Sequence, residues 1–251
     1  MPLNSRGQYK AGAHTEFDTL TGETLLANNP ILFEDEFIGA SHVATLPTTA
    51  TLGYPWIKKI VGAGPPTVAA VSNAAGGQIS LALAANSEKE DGAFYMGDNL
   101  SLDITKGLIW ESRIKLSVLP SVAAVQMVMG VQSAWIDGPD NASFYLGFGF
   151  LGNGKLILRS NDGTTVNAID ASSVVPAFLT TDWHILKFDA TDVTNVRFSV
   201  DGNEISGLAN VAFAATGASA IVQAYQSVYK ASGTGVGTLL VDNVQVRANR
   251  A

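Results

Sequence analysis

The chain contains no cysteine. That excludes disulfides, thiolate catalysis and cysteine-held zinc or iron–sulfur centres. Charge is scarce as well. Only 15% of the 251 residues are charged, and the formal balance is −7. The 15 Lys and Arg are scattered with no basic run. The phosphate-neutralising patch of a nucleic-acid binder is therefore missing, and an anionic membrane is an equally poor partner. There are three histidines, His14, His42 and His184, and none is paired at metal-ligand spacing. No Gly-x-Ser-x-Gly elbow or phosphate-cradling Gly-rich loop occurs. No apolar run approaches a membrane span, and the polar start Met1–Lys10 has no secretory core. The expected place of synthesis is the cytoplasm.

What the chain does have is apolar residues with a two-residue period. They make up 47% of the sequence, enough to bury a sizeable core. In Leu108–Leu116, Trp110, Ser112, Ile114 and Leu116 share one face, and Glu111, Arg113 and Lys115 the other. In Ser143–Phe150, Phe144, Leu146, Phe148 and Phe150 oppose Tyr145, Gly147 and Gly149. Phe33, Asp35 and Phe37 alternate with Glu34 and Glu36, and Val196, Phe198 and Val200 with Arg197 and Ser199. Each is the signature of a strand with one buried face. Turn signals punctuate them: Asn153-Gly154, Asp162-Gly163, Asp201-Gly202 and Gly76-Gly77. Ser121–Met129 is helix-like in period, but its β-branched residues and flanking Pro120 and Gly130 favour a buried strand. About a dozen strands at roughly ten-residue spacing predict an all-β, antiparallel β-sandwich. Residues 1–30 lack a sustained period and read as an extended N-terminal arm, or as a free tail, ahead of one sandwich domain over 31–251.

Two segments carry a resemblance. Asp182-Trp-His-Ile-Leu-Lys-Phe-Asp189, followed by Asn195-Val-Arg-Phe-Ser-Val-Asp-Gly-Asn-Glu204, resembles the concanavalin A-like lectin/glucanase (laminin-G-like) jelly roll. Leu239–Arg247 is similar to that fold's closing strand and Phe33–Phe37 to its first, framing about residues 31–247. The resemblance implies the fold, while sugar binders, hydrolases and viral surface proteins all share it. In overall plan the chain also resembles a small tailed-phage virion protein.

Glucanases of this fold carry acids in the pattern Glu-x-Asp-x-x-Glu, which is absent here. Glu111 has Arg113 two positions on, which reads as a solvated ion pair. Glu34 and Glu36 read as an acidic edge that resists edge pairing. Asp137, Asp140 and Asn141 could offer oxygen ligands to calcium or could form an ordinary polar turn, and no cofactor is expected. Asn141-Ala142-Ser143 is formally a glycosylation sequon, idle without secretion. Tyr54, Trp56, Trp135 and Tyr145 are the candidate binding residues, for stacking a sugar or touching a subunit; the alternative is that they fill the core.

The leading expectation is a non-catalytic virion structural protein, a capsid decoration or cement subunit. Its partners would be the major capsid protein and further copies of itself as a homo-oligomer, clamped by the arm and the loops Leu46–Trp56 and Ile60–Val71. A carbohydrate-binding, receptor-binding module on a virion tail or fibre is the alternative, and a glycoside hydrolase the third.

Overall fold

The computed structural model describes residues 31–38, 46–51 and 54–249, together with the backbone of 5–10, 13–18 and 24–26. In the segment expected as an arm, β1 (Ser5–Lys10), β2 (Ala13–Asp18) and β3 (Thr24–Leu26) form an antiparallel meander among themselves. His42, and the ends of that segment, lie outside the described residues.

The rest of the chain supplies β4 (Ile31–Asp35), β5 (Ile57–Val61), β6 (Thr67–Ala70), β7 (Ile79–Ala82), β8 (Glu90–Tyr95) and β9 (Leu102–Asp103). Then follow β10 (Leu108–Val118), β11 (Val125–Gln132), β12 (Tyr145–Leu151), β13 (Lys155–Asn161) and β14 (Val166–Asp170). The last are β15 (His184–Ala190), β16 (Arg197–Val200), β17 (Asn203–Glu204), β18 (Ile221–Lys230) and β19 (Thr238–Ala248). They build two antiparallel sheets. The first has the order β17-β16-β15-β10-β19-β7-β6, with β4 also paired to β19. The second has the order β14-β13-β12-β11-β18-β8-β5, with β9 also paired to β18.

The sheets pack face to face, because the alternation read from the sequence gives each an apolar inner side. On β10, Trp110, Ile114 and Leu116 are fully buried and Ser112 is enclosed with them. Trp110 stacks on Phe188 at 5.7 Å between ring centres and meets Phe148 of the other sheet at 6.2 Å. Phe148 in turn meets Phe198 edge-on at 5.2 Å. A second aromatic group holds β4 to the sandwich: Trp56 stacks on Phe94 at 4.4 Å, and Phe33 and Phe37 pack around it. Such pairs add about 0.5–1.5 kcal/mol each beyond their burial.

The turns form where the dipeptides placed them. Asn153 and Gly154 take φ of 63° and 72°, and Asp201 and Gly202 take 51° and 77°. These left-handed values suit Gly, Asn and Asp and reverse the chain between twisted strands. Ser121–Met129 resolves into a turn and the start of strand β11, as its β-branched content indicated. The chain is an all-β jelly-roll sandwich, with helix confined to short 3-10 turns among the described residues.

Two details correct the sequence reading. Arg113 does not pair with Glu111. It reaches across to Asp242 on β19 at 2.5 Å and lies over the Trp183 ring at 4.7 Å. The loops expected to clamp neighbours each give side chains to the core: Leu46, Trp56 and Val68 are buried, and Asp35 accepts the Trp56 Nε1–H at 2.9 Å and draws that ring under β4, while Thr48–Thr51, Tyr54 and Pro55 stay exposed.

Candidate functional site

The inner faces of both sheets are consumed by the core. A site must therefore lie on an outer face or at an edge. The outer face of the second sheet is unusual, because its side chains are almost all buried as well. From β8 it carries Asp91, Ala93 and Tyr95, and from β18 Gln223, Tyr225 and Ser227. From β11 it carries Val128, Gly130 and Gln132, from β12 Tyr145, Gly147 and Gly149, and from β13 Ile157 and Arg159.

The cover is the chain itself. Between β11 and β12, residues 133–144 run as a strap over this face. Trp135 packs against the patch formed by Ile57, Ala93, Tyr95, Val128 and Tyr225, with Lys59 Nζ 4.9 Å from its ring centre. Its backbone N–H donates to Asp98 at 2.6 Å. At mid-strap the Gly138 N–H donates to Asp91 Oδ2 at 2.9 Å. Asp137 pairs with Lys89, and Asp140 with Arg159 and, at 2.7 Å, with Gln126. Asn161 Nδ2 donates to the Ala142 carbonyl at 3.1 Å. Gly138 is in place because a Cβ there would press on Asn141 and on the Tyr229 ring, and its φ of 84° disfavours any side chain.

Glycines of the sheet make room for what lies under the strap. Gly130 and Gly147 are register partners, and a Cβ on either would fall 2.3 Å or less from a carbonyl oxygen of the neighbouring strand. A Cβ on Gly149 would sit 2.6 Å from Arg159 Cδ, so its absence lets the arginine stem lie flat on the sheet. The guanidinium then reaches 4.7 Å from the Tyr145 ring centre. Between Gln132, Tyr145, Arg159 and Tyr225 a notch of about 10 Å³ remains, of the order of one water molecule.

The buried polar groups here are poorly satisfied. Among the described residues Asp91 Oδ1, Gln132 Nε2 and Trp135 Nε1 have no hydrogen-bond partner, and the Tyr225 and Ser227 hydroxyls face each other without a well-formed bond to a protein group. Burial, with the Asp137 charge adding to it, pushes the Asp91 carboxyl up to about 7, against the Gly138 hydrogen bond and the Lys89 charge. Burial raises the Tyr225 phenol well above its ordinary value, and the Asp91 charge pushes the same way.

The candidate aromatics are thus dispersed. Trp56 is 1% exposed in the core, and Tyr145 is buried beneath Arg159. Trp135 is the strap's own anchor, and Tyr54 alone of the four is exposed, at 39%. The Asp137, Asp140 and Asn141 side chains do not converge as a calcium cage. Lys89 and Arg159 take the two carboxylates, Asn141 Nδ2 donates to the Asp137 carbonyl at 2.8 Å, and no group of three metal-ligating side chains forms among the described residues. His184 is fixed by Asp201 at 2.8 Å and packs on Phe178 at 4.3 Å, beside an open hollow of about 440 Å³ at the sandwich edge. Sequence reasoning missed the strap. Its signal was the lack of alternation in Val125–Gln132, which marks a strand buried on both faces.

No known family and no curated protein matches the chain. Solved structures do. A protein of unknown function from Shewanella oneidensis MR-1 superposes with a TM-score of 0.58 at 13% identity, over 90% of each chain. A β-1,3-glucanase from Mycobacterium marinum gives 0.54 at 17% identity, over 87% of this chain and 99% of that one. An endo-acting O-glycanase of human gut bacteria, described as initiating mucin breakdown, gives 0.53 at 16% identity with the same coverage. With the two sheets described above, these likenesses establish the fold as the concanavalin A-like lectin/glucanase jelly roll.

Proposed function

We propose that this chain is a non-catalytic structural protein of a virion, a decoration or cement subunit that binds a shell and further copies of itself. One observation supports the non-catalytic part: the strap of residues 133–144 covers the outer face of the second sheet, so that face is not an open groove. Paired carboxylates at a separation suited to glycoside hydrolysis are the second requirement of that chemistry. Among the described side chains of that face Asp91 is the one carboxylate, and it accepts from a backbone N–H. The shell part of the reading rests on the chain plan, an acidic, cysteine-free rigid block preceded by a separate strand-forming segment. Exposed apolar side chains such as Leu32, Val166, Leu179 and Ile185 supply contact surface for neighbours.

The test is the copy number of the chain in purified particles from its source, by quantitative mass spectrometry. Abundance comparable with the major shell protein is the expected result. A few copies per particle, or none, would overturn the decoration role.

A second reading, glycan binding, is favoured by the partnerless polar atoms and tyrosines under the strap and by the sugar-degrading activities named for two of the fold's relatives. It requires saturable binding to some glycan on a broad array, lost in a variant of the face such as Tyr225→Ala. An array without such binding would remove it.

A further inference from the structure

Midway along, the strap meets the sheet at the carboxyl group of Asp91, between its ties to Asp98 and Lys89 on one side and to Arg159, Gln126 and Asn161 on the other. Asp91 is fully buried, and its one hydrogen bond among the described residues is the 2.9 Å bond from the Gly138 N–H to Oδ2. Its Oδ1 faces no donor. A carboxylate in that position is buried away from bulk water and, among the described residues, has no cation in contact. The neutral acid carries no charge, and its O–H can donate.

The charged and titratable groups around it do not change that balance. From the strap, Asp137 adds a like charge, although Lys89 pairs with it. From β18, the Tyr225 and Tyr229 phenols face the carboxyl, and burial holds both above their ordinary range. Farther out, Asp140 is taken by Arg159. Lys89 therefore acts on Asp91 at a distance, already engaged by Asp137 and open to solvent at its own end.

We propose that the strap is a proton-operated cover: with Asp91 protonated it is latched over the outer face of the second sheet, and ionisation of Asp91 releases it while the sandwich stays folded. The inference stands on the strap geometry and is independent of what the uncovered face would bind. The sign follows from linkage. The closed form binds the proton more tightly than the open form, where the carboxyl meets water and titrates near its ordinary value of 3.8. Closure is therefore strongest below that value. It weakens as pH rises toward the closed-state value of about 7 and is level above it.

The measurement is amide hydrogen exchange on the full chain, followed by NMR from pH 5 to pH 8 and expressed as protection relative to the unstructured rate. The Gly138 amide is expected to lose protection about tenfold per pH unit up to about pH 7 and then to level off. The Trp110 amide, deep in the first sheet, should not follow it. Asp91→Asn keeps an acceptor for Gly138 without a titratable proton, and should hold Gly138 protected at every pH. Asp140→Asn, at an exposed position, breaks the tie to Arg159. It should lower Gly138 protection throughout and retain the slope. The proposal is overturned if Gly138 protection does not vary with pH. It is equally overturned if Trp110 falls in parallel, if the slope survives in a folded Asp91→Asn chain, or if it vanishes in Asp140→Asn.

Discussion

Glu90 and Lys230 are directly paired across β8 and β18, point into the sandwich, and are both fully buried. Lys230 Nζ lies 3.3 Å from Glu90 Oε1 and donates to the carbonyls of Ala84 and Asn86 at 2.6 and 2.7 Å. Glu90 Oε2 accepts the Ala84 N–H at 2.8 Å. The pair thus ties the loop after β7 to the second sheet. Lys230→Met keeps most of the apolar stem and removes the ammonium. It leaves a buried carboxylate without its counter-charge and two carbonyls without a donor. Breaking a buried pair from one side costs about 3–5 kcal/mol. Adding Glu90→Gln removes the stranded charge while keeping an acceptor for Ala84, and should restore about 2 kcal/mol of that loss. Urea unfolding of the wild type and the two variants, read by tryptophan fluorescence, measures both numbers. A loss below about 1 kcal/mol for Lys230→Met, or no recovery in the double variant, would refute the view that the ammonium and carboxylate hold each other in place.

Other substitutions test other parts of the fold. Gly130→Ala would place a Cβ 2.3 Å from the Leu146 carbonyl oxygen at a φ of 144°, and should cost about 2–3 kcal/mol in the same unfolding assay. Gln226 lies on the inner face with both amide atoms buried and, among the described residues, unpartnered, so Gln226→Met should stabilise the chain by about 1 kcal/mol, and a loss of similar size would contradict that assignment. Burial acts to raise the Asp162 carboxyl, but N–H donors from Thr165, Thr164 and Ala214 outweigh it and hold the group below its ordinary value. Its contribution is therefore present at neutral pH and lost as pH falls through the lowered value, so the stability gap between wild type and Asp162→Asn should narrow on acidification toward pH 3.

The strands of the first sheet were legible because that sheet has one wet face. Glu111, Arg113 and Lys115 alternate with Trp110, Ser112 and Ile114, and the period is visible in the letters. The second sheet is wetted on neither side over its centre. Glu90–Tyr95 and most of Val125–Gln132 and Ile221–Lys230 are buried throughout, so alternation there carries little information about direction. Trp135-Ile-Asp-Gly-Pro-Asp-Asn141 has the composition of an exposed polar turn. What makes it a cover is Trp135 on the patch of Ile57, Ala93, Tyr95, Val128 and Tyr225, and Asp140 on Arg159, contacts between residues that only the folded sheet brings together. Trp56, flanked by Pro55, also read as a turn residue, because the Asp35 carboxylate that draws it inward lies 21 positions away.

The placement of β19 bears on how the chain is made. Residues 238–248 are hydrogen-bonded to β10 on one flank and, on the other, to β7 and β4. Without them the first sheet falls into three pieces: β17-β16-β15-β10, the β7-β6 pair, and β4 by itself. Translation delivers these residues after every other described strand. The first sheet can therefore be completed only once Ala248 has cleared the ribosome, and until then the β10 and β7 edges carry unpaired backbone groups that can join other nascent copies.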